Sequence, residues 1–159
     1  MGPSAAKRVT LGFRVWAEAL ENGSLEIEVL DRHGRSPVAL KLNAEEGWVA
    51  KGLSGAASLV KLSPAREKSW VEVHLQLDVS RRQFDVRLDG KAVLTQGTLA
   101  GSSGESVERL CFRTGPNRDY DAHQADLLID RSKLGDRLDG DVKQPRLQVF
   151  IDDVRVASQ

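Results

Sequence analysis

Residues 26–31, Glu26-Ile27-Glu28-Val29-Leu30-Asp31, space their carboxylates much as acid–base chemistry requires. On an extended strand, residues two apart share a face and lie roughly 6–7 Å apart. Two carboxyl groups roughly 5–5.5 Å apart can serve as nucleophile and acid/base at a glycosidic bond. Asp31, however, opens the turn-like run Asp31-Arg32-His33-Gly34, and no tryptophan-rich groove lies beside this stretch. The residues favour a plainer reading, the solvated outer face of a half-buried strand.

Tyr120 and His123, close to Arg118, form a second constellation. A Tyr-His pair can deprotonate a sugar acid while a cation neutralises its carboxylate. These residues fall in an Asp-rich segment, where a surface loop is the favoured reading. His33 and His74 are scattered, and His74, between Glu72 and Gln76, reads as a surface histidine. Ser/His/Asp and Cys/His catalysis have no local support, and no glycine loop of the phosphate-cradling kind occurs.

Two binding chemistries remain. Calcium takes 6–8 oxygen ligands, and Asp136-x-x-Asp139-Gly140-Asp141 sets three carboxylates around a glycine turn. The spacing is not that of an EF-hand loop, and a solvated loop with local Asx turns competes with it. Sugar binding uses aromatic faces against pyranose rings, with polar groups at the edges. The chain has three Trp, one Tyr and four Phe, so candidates are few. Trp16 falls on the opposite parity to Phe13 and Val15, Trp48 follows the Glu45-Glu46-Gly47 turn, and Tyr120 sits in the Asp-rich segment. These three are the candidate carbohydrate-binding residues.

The elements that must position these groups are strands. The 159 residues suffice for one domain with a sizeable core. Lys plus Arg and Asp plus Glu number 23 each, so the basic excess of a nucleic-acid binder is missing. No apolar run reaches the roughly 20 residues of a bilayer span. The single cysteine, Cys111, rules out an intrachain disulfide and a cysteine-based zinc site, and in Leu110-Cys111-Phe112 it reads as a packed thiol.

Apolar residues alternate with polar ones over 9–16, 24–30, 38–42, 70–78, 84–88 and 146–156. Asn22-Gly23 and Asp89-Gly90 mark turns, the second a two-residue hairpin signal. Residues 91–95 read as the returning strand, 48–62 as one or two short strands, and 107–114 as a strand with a bulge. Asp152 and Asp153, adjacent on a strand, are expected to point to opposite faces. About ten half-buried strands require two sheets packed face to face. The expected fold is therefore an all-β, two-sheet antiparallel β-sandwich of the jelly-roll kind. Residues 1–8 read as a disordered leader or cloning scar. Residues 9–159 read as the domain, with a long Asp-rich loop at 115–145.

The run Trp70-x-x-x-x-Leu75-x-Leu77-Asp78 followed by Phe84-Asp85-Val86-x-Leu88-Asp89-Gly90 resembles a hairpin of the concanavalin A-like, laminin-G-like jelly-roll superfamily. So do the closing Phe150-Ile151-Asp152-Asp153-Val154-Arg155-Val156 and the opening Thr10-Leu11-Gly12-Phe13-Arg14-Val15. The resemblance implies that Trp70 is a core tryptophan. It implies a structural calcium in many members. It also implies a non-catalytic ancillary module of a polysaccharide-active protein, extracellular or periplasmic, with weak carbohydrate binding. Its partners would be a polysaccharide or oligosaccharide and neighbouring domains of a parent chain, with no nucleic acid and no membrane. The superfamily also holds glycoside hydrolases and polysaccharide lyases. Residues 26–31 loosely resemble the Glu-x-Asp-x-x-Glu strand of its glucanases, with Glu28 and Asp31 departing from that pattern. A third expectation is a protein-interaction or packing domain.

Overall fold

A computed structural model describes residues 8–51, 59–100, 106–116 and 146–159. The described residues form ten strands: β1 Arg8–Glu21, β2 Gly23–Leu30, β3 Val38–Asn43, β4 Gly47–Lys51, β5 Leu59–Ser63, β6 Trp70–Asp78, β7 Gln83–Leu88, β8 Lys91–Thr98, β9 Arg109–Pro116 and β10 Arg146–Ser158. They make two five-stranded antiparallel sheets, ordered β10-β1-β6-β7-β8 and β5-β4-β3-β2-β9. The sandwich expected from the alternation is the observed fold. No helix occurs among the described residues.

The alternation sets which side chains face inward. Val9, Leu11, Phe13 and Val15 of β1, Leu25, Ile27 and Val29 of β2, and Val71, Val73, Leu75 and Leu77 of β6 are all buried. Each such side chain contributes about 1.5–3 kcal/mol of transfer free energy. Phe13 and Phe112 meet edge to face between the sheets, their ring centroids 5.2 Å apart.

Two turns show how local chemistry steers the chain. Asp89 and Gly90 both take positive φ, 50° and 77°, as a two-residue hairpin between β7 and β8 requires. Asn22 also takes positive φ, 54°, but it links strands of different sheets. It is a corner that carries the chain from one layer to the other. At that corner Gly23 is packed too closely for a side chain. A Cβ there would lie 2.8 Å from Leu147 Cβ and 3.3 Å from the Gly115 carbonyl oxygen.

Three sequence expectations change. Arg8 is already in β1, its amide bonded to the Gln159 carbonyl at 3.1 Å. The β2–β9 ladder runs without a register shift from Leu30↔Arg109 to Gly23↔Pro116, so β9 has no bulge. Val107, which suggested one, precedes the strand. Trp70 is not a core residue but remains 40% exposed. It stands one residue before the inward Val71 and so points outward from the sheet.

Candidate functional site

The outer faces of the two sheets differ. On the second sheet, Ala39, Lys41 and Val49 point away from the core and are nonetheless buried. On the first sheet the outer face is open, and it carries large aromatic side chains.

Trp16 on β1 pairs with Phe150 on β10 and with Trp70 on β6. Paired residues share a face, so the three rings form one row across three neighbouring strands. The row spans about 10 Å, the width of two pyranose rings side by side. Phe150 is 50% exposed, and Trp16 between the two flanking rings is half-buried. The Trp16 and Trp70 rings sit 5.8 Å apart at 61°, a tilted contact that leaves the row faceted. The Trp16 Nε1–H donates to Glu18 Oε2 at 2.9 Å, which fixes its ring.

The next row is polar. Arg14 pairs with Asp152 on one side and Glu72 on the other. Its guanidinium carbon lies 5.0 Å from the Trp70 ring centroid, a cation–π contact. Arg14 Nη2 donates to Asp152 Oδ2 at 2.8 Å, and its Nε lies 3.6 Å from Asp153 Oδ2. Asp152 and Asp153 therefore do not point to opposite faces. The β1–β10 register slips between Gly12 and Arg14, and Asp153 takes φ 57°, so this bulge turns both carboxylates toward one arginine. Arg155 Nη2 joins them, 3.2 Å from Asp153 Oδ2.

Beyond this row the surface sinks into a groove of about 460 Å³. Gly12 forms part of its floor, with nothing within 4 Å of where a Cβ would be. Thr10, Glu72, His74, Arg155 and Ala157 line its sides. An aromatic ridge beside a polar groove can stack on the apolar face of a sugar and hydrogen-bond its hydroxyls.

Hydrogen bonds from two neighbouring segments brace this face. A second irregularity in β1, between Ala17 and Ala19, is closed by the loop before β6. There the Lys68 amide donates to the Ala17 carbonyl at 2.7 Å, and Leu20 N–H donates to Glu67 Oε1 at 3.0 Å. The start of β6 is clamped by Asp89. Its carboxylate accepts from the Glu72 amide at 2.9 Å and pairs with Arg66, and its amide donates to the Glu72 carbonyl at 2.8 Å.

Of the aromatic residues singled out from sequence, Trp16 lies in the row. Trp48 does not. It pairs with Leu42 on the inner face of its sheet and is 1% exposed, so neither ring face is open to a ligand. Tyr120, with His123 and Arg118, and Asp136, Asp139 and Asp141 lie outside the described residues. Glu26 and Glu28 occupy the outer face of β2, but Glu28 is tied to Arg113 at 2.8 Å. Asp31 is buried in its own turn, accepting from the His33 and Arg35 amides at 2.8 and 2.9 Å. Among the described residues, none of the three carboxylates of 26–31 lines the groove beside the aromatic row.

Residues 3–127 match the family model described as "Sialidase-like, CBM domain". The chain belongs to the sialidase-like carbohydrate-binding-module family. No curated protein sequence matches it significantly. Among solved structures, a sialidase superposes with TM-score 0.69 at 21% identity, over 97% of this chain and 13% of that one. Trypanosoma rangeli sialidase superposes with TM-score 0.58 at 18% identity, over 94% of this chain and 20% of that one. A tetrameric galectin from the ball sponge Cinachyrella gives TM-score 0.54 at 5% identity, covering 99% of this chain and 94% of the galectin. At these identities the likeness is one of fold, and it bears out the concanavalin A-like resemblance. This sialidase-like module is equivalent in extent to a small part of each sialidase chain.

Proposed function

We propose that the chain is a non-catalytic ancillary module of a longer glycosidase, and that it binds a glycan across Phe150, Trp16 and Trp70. The observation that carries this reading is the aromatic row, placed in register over three strands and left open to solvent. The core does not use these rings, and exposing so much aromatic surface in one place is unfavourable unless something covers it. The groove beside the row supplies donors and acceptors on one side of a bound sugar: Thr10, Glu72, His74 and Arg155. The partners would be an oligosaccharide or polysaccharide and the catalytic part of a parent chain. A module of this kind would work outside the cytoplasm, where such glycans are met.

Affinity electrophoresis of the purified domain through glycan-containing gels tests the reading. Retardation is expected, and it should be lost in Trp70→Ala and Phe150→Ala, both exposed positions whose replacement leaves the core intact. Retardation that survives in both variants would place the binding site elsewhere.

A further inference from the structure

We infer that the site selects neutral sugars and turns away sugars bearing a carboxylate, such as terminal sialates. The inference rests on the proposed glycan-binding role of this face and specifies its ligand class. An acidic sugar is ordinarily held by an arginine fork, and Arg14 stands beside the aromatic row where such a fork would be useful. Its Nη2, which an arginine fork needs, is already committed to Asp152, while among the described residues its Nε lies near Asp153 without a hydrogen bond. Asp152 accepts from the guanidinium at 2.8 Å, Asp153 lies 3.6 Å away, and its central carbon sits over the Trp70 ring, 5.0 Å from the centroid. Arg155, the other guanidinium lining the groove, is held by Asp153 at 3.2 Å. Glu72 and Glu18 add two further carboxylates around the row, while Arg87 stands one strand farther out, opposite His74. A ligand carboxylate arriving here would have to displace Asp152 from Arg14 and would face the displaced anion at close range. Charges placed against the unwanted ligand are one of the ways in which a binding site discriminates. Neutral hydroxyls meet no such obstacle, since the carboxylates that repel an acid accept hydrogen bonds from a hydroxyl.

The bulge is what builds this arrangement. A regular strand would send Asp153 to the opposite face. Its left-handed backbone, φ 57°, brings the second carboxylate back toward Arg14 and Arg155. Asn also accepts that backbone conformation readily, so the charges can be removed without disturbing the strand.

The test uses pairs of oligosaccharides that share one core and differ only by a terminal sialate, titrated into the purified chain and into the double variant Asp152→Asn/Asp153→Asn. The original chain should bind the neutral member of a pair at least about tenfold more tightly. The double variant should narrow or reverse that ratio, and adding Arg14→Gln to it should remove the gained affinity for the acidic member. A sialylated ligand bound as well as its neutral partner, with binding still lost in Trp70→Ala, overturns the selectivity and leaves the glycan site standing. An unchanged ratio in the double variant overturns it as well. Absence of binding to every neutral and acidic pair overturns the glycan site itself, and the selectivity with it.

Discussion

Trp16 and Trp70 face each other across β1 and β6, centroids 5.8 Å apart, and each ring limits the freedom of the other. Trp16 is further held by Glu18 and Trp70 by Arg14, so neither indole turns independently. Such preorganisation lowers the entropic cost of binding a ligand. Trp16→Ala should therefore weaken glycan binding by about tenfold, even though Trp16 is the less exposed ring. Isothermal titration of the variant checks this. Unchanged affinity would mean that Trp70 acts alone.

Trp48 offers the opposite case. It is a fully buried side chain between the sheets. Trp48→Ala should cost about 3–5 kcal/mol of stability through the cavity it leaves. Urea unfolding followed by circular dichroism measures that loss. Any glycan affinity of the fraction that remains folded should match that of the original chain.

Gly23 sits where β2, β9 and β10 crowd together. Gly23→Ala should destabilise by about 1–3 kcal/mol, because the new methyl meets Leu147 and the Gly115 carbonyl. Gly12→Ala is the matched control, since its Cβ position is open. It should leave stability nearly unchanged but narrow the groove. Equal losses in the two variants would contradict this account of the corner.

The periodicity of the sequence carried much of this, and its failures have physical causes. Inward positions of β1, β2, β6 and β7 could be read from strict alternation, because each of these strands has one wet face. In β3 every residue from Val38 to Asn43 is buried, so alternation there did not report on the final environment. Trp70 and Phe150 were both legible as outward-facing by parity, Trp70 against Val71 and Phe150 against Val149 and Ile151. The family resemblance implies a core position for Trp70, against that parity, and the parity is what the fold follows. The convergence of Asp152 and Asp153 on Arg14 was not legible. It depends on a bulge and on a strand pairing separated by more than a hundred residues. That Phe150, Trp16 and Trp70 stand in one row likewise depends on strand order and register, which a single sequence does not specify.

Two buried or partly buried carboxylates make stability depend on acid. Burial opposes ionisation of Asp31, but the amides of Arg35 and His33 and the Arg35 guanidinium outweigh it and hold the carboxyl below its ordinary 3.8. The Arg81 amide, against the opposing effect of burial, and the Arg8 guanidinium lower Asp78 in the same direction. A carboxylate whose folded pKa lies below its unfolded pKa stabilises fully above the unfolded value. That contribution is lost as pH falls through the folded value. The urea midpoint should accordingly fall below about pH 4. Asp31→Asn should be less stable than the original chain at pH 7, and the gap should close in acid. A gap that stays constant from neutral to acid pH would contradict the assignment.

Asp89 braces the start of β6 from the hairpin between β7 and β8. Asp89→Ala removes the carboxylate that accepts from the Glu72 amide, and places alanine at a positive φ. A loss of about 1 kcal/mol is expected, together with faster hydrogen exchange at the Glu72 amide. Exchange at Glu72 unaltered by the substitution would remove Asp89 from the set of residues that position Trp70.

The central claim concerns which rings meet the ligand, and the chain carries its own internal control. Its three tryptophans, Trp16, Trp48 and Trp70, give three indole N–H resonances, one of them from a side chain buried in the core. Titration of the ¹⁵N-labelled protein with a neutral oligosaccharide that retards it in affinity gels should shift the Trp16 and Trp70 indole signals in a saturable way and leave Trp48 in place. Saturable binding that moves neither Trp16 nor Trp70 would contradict the account.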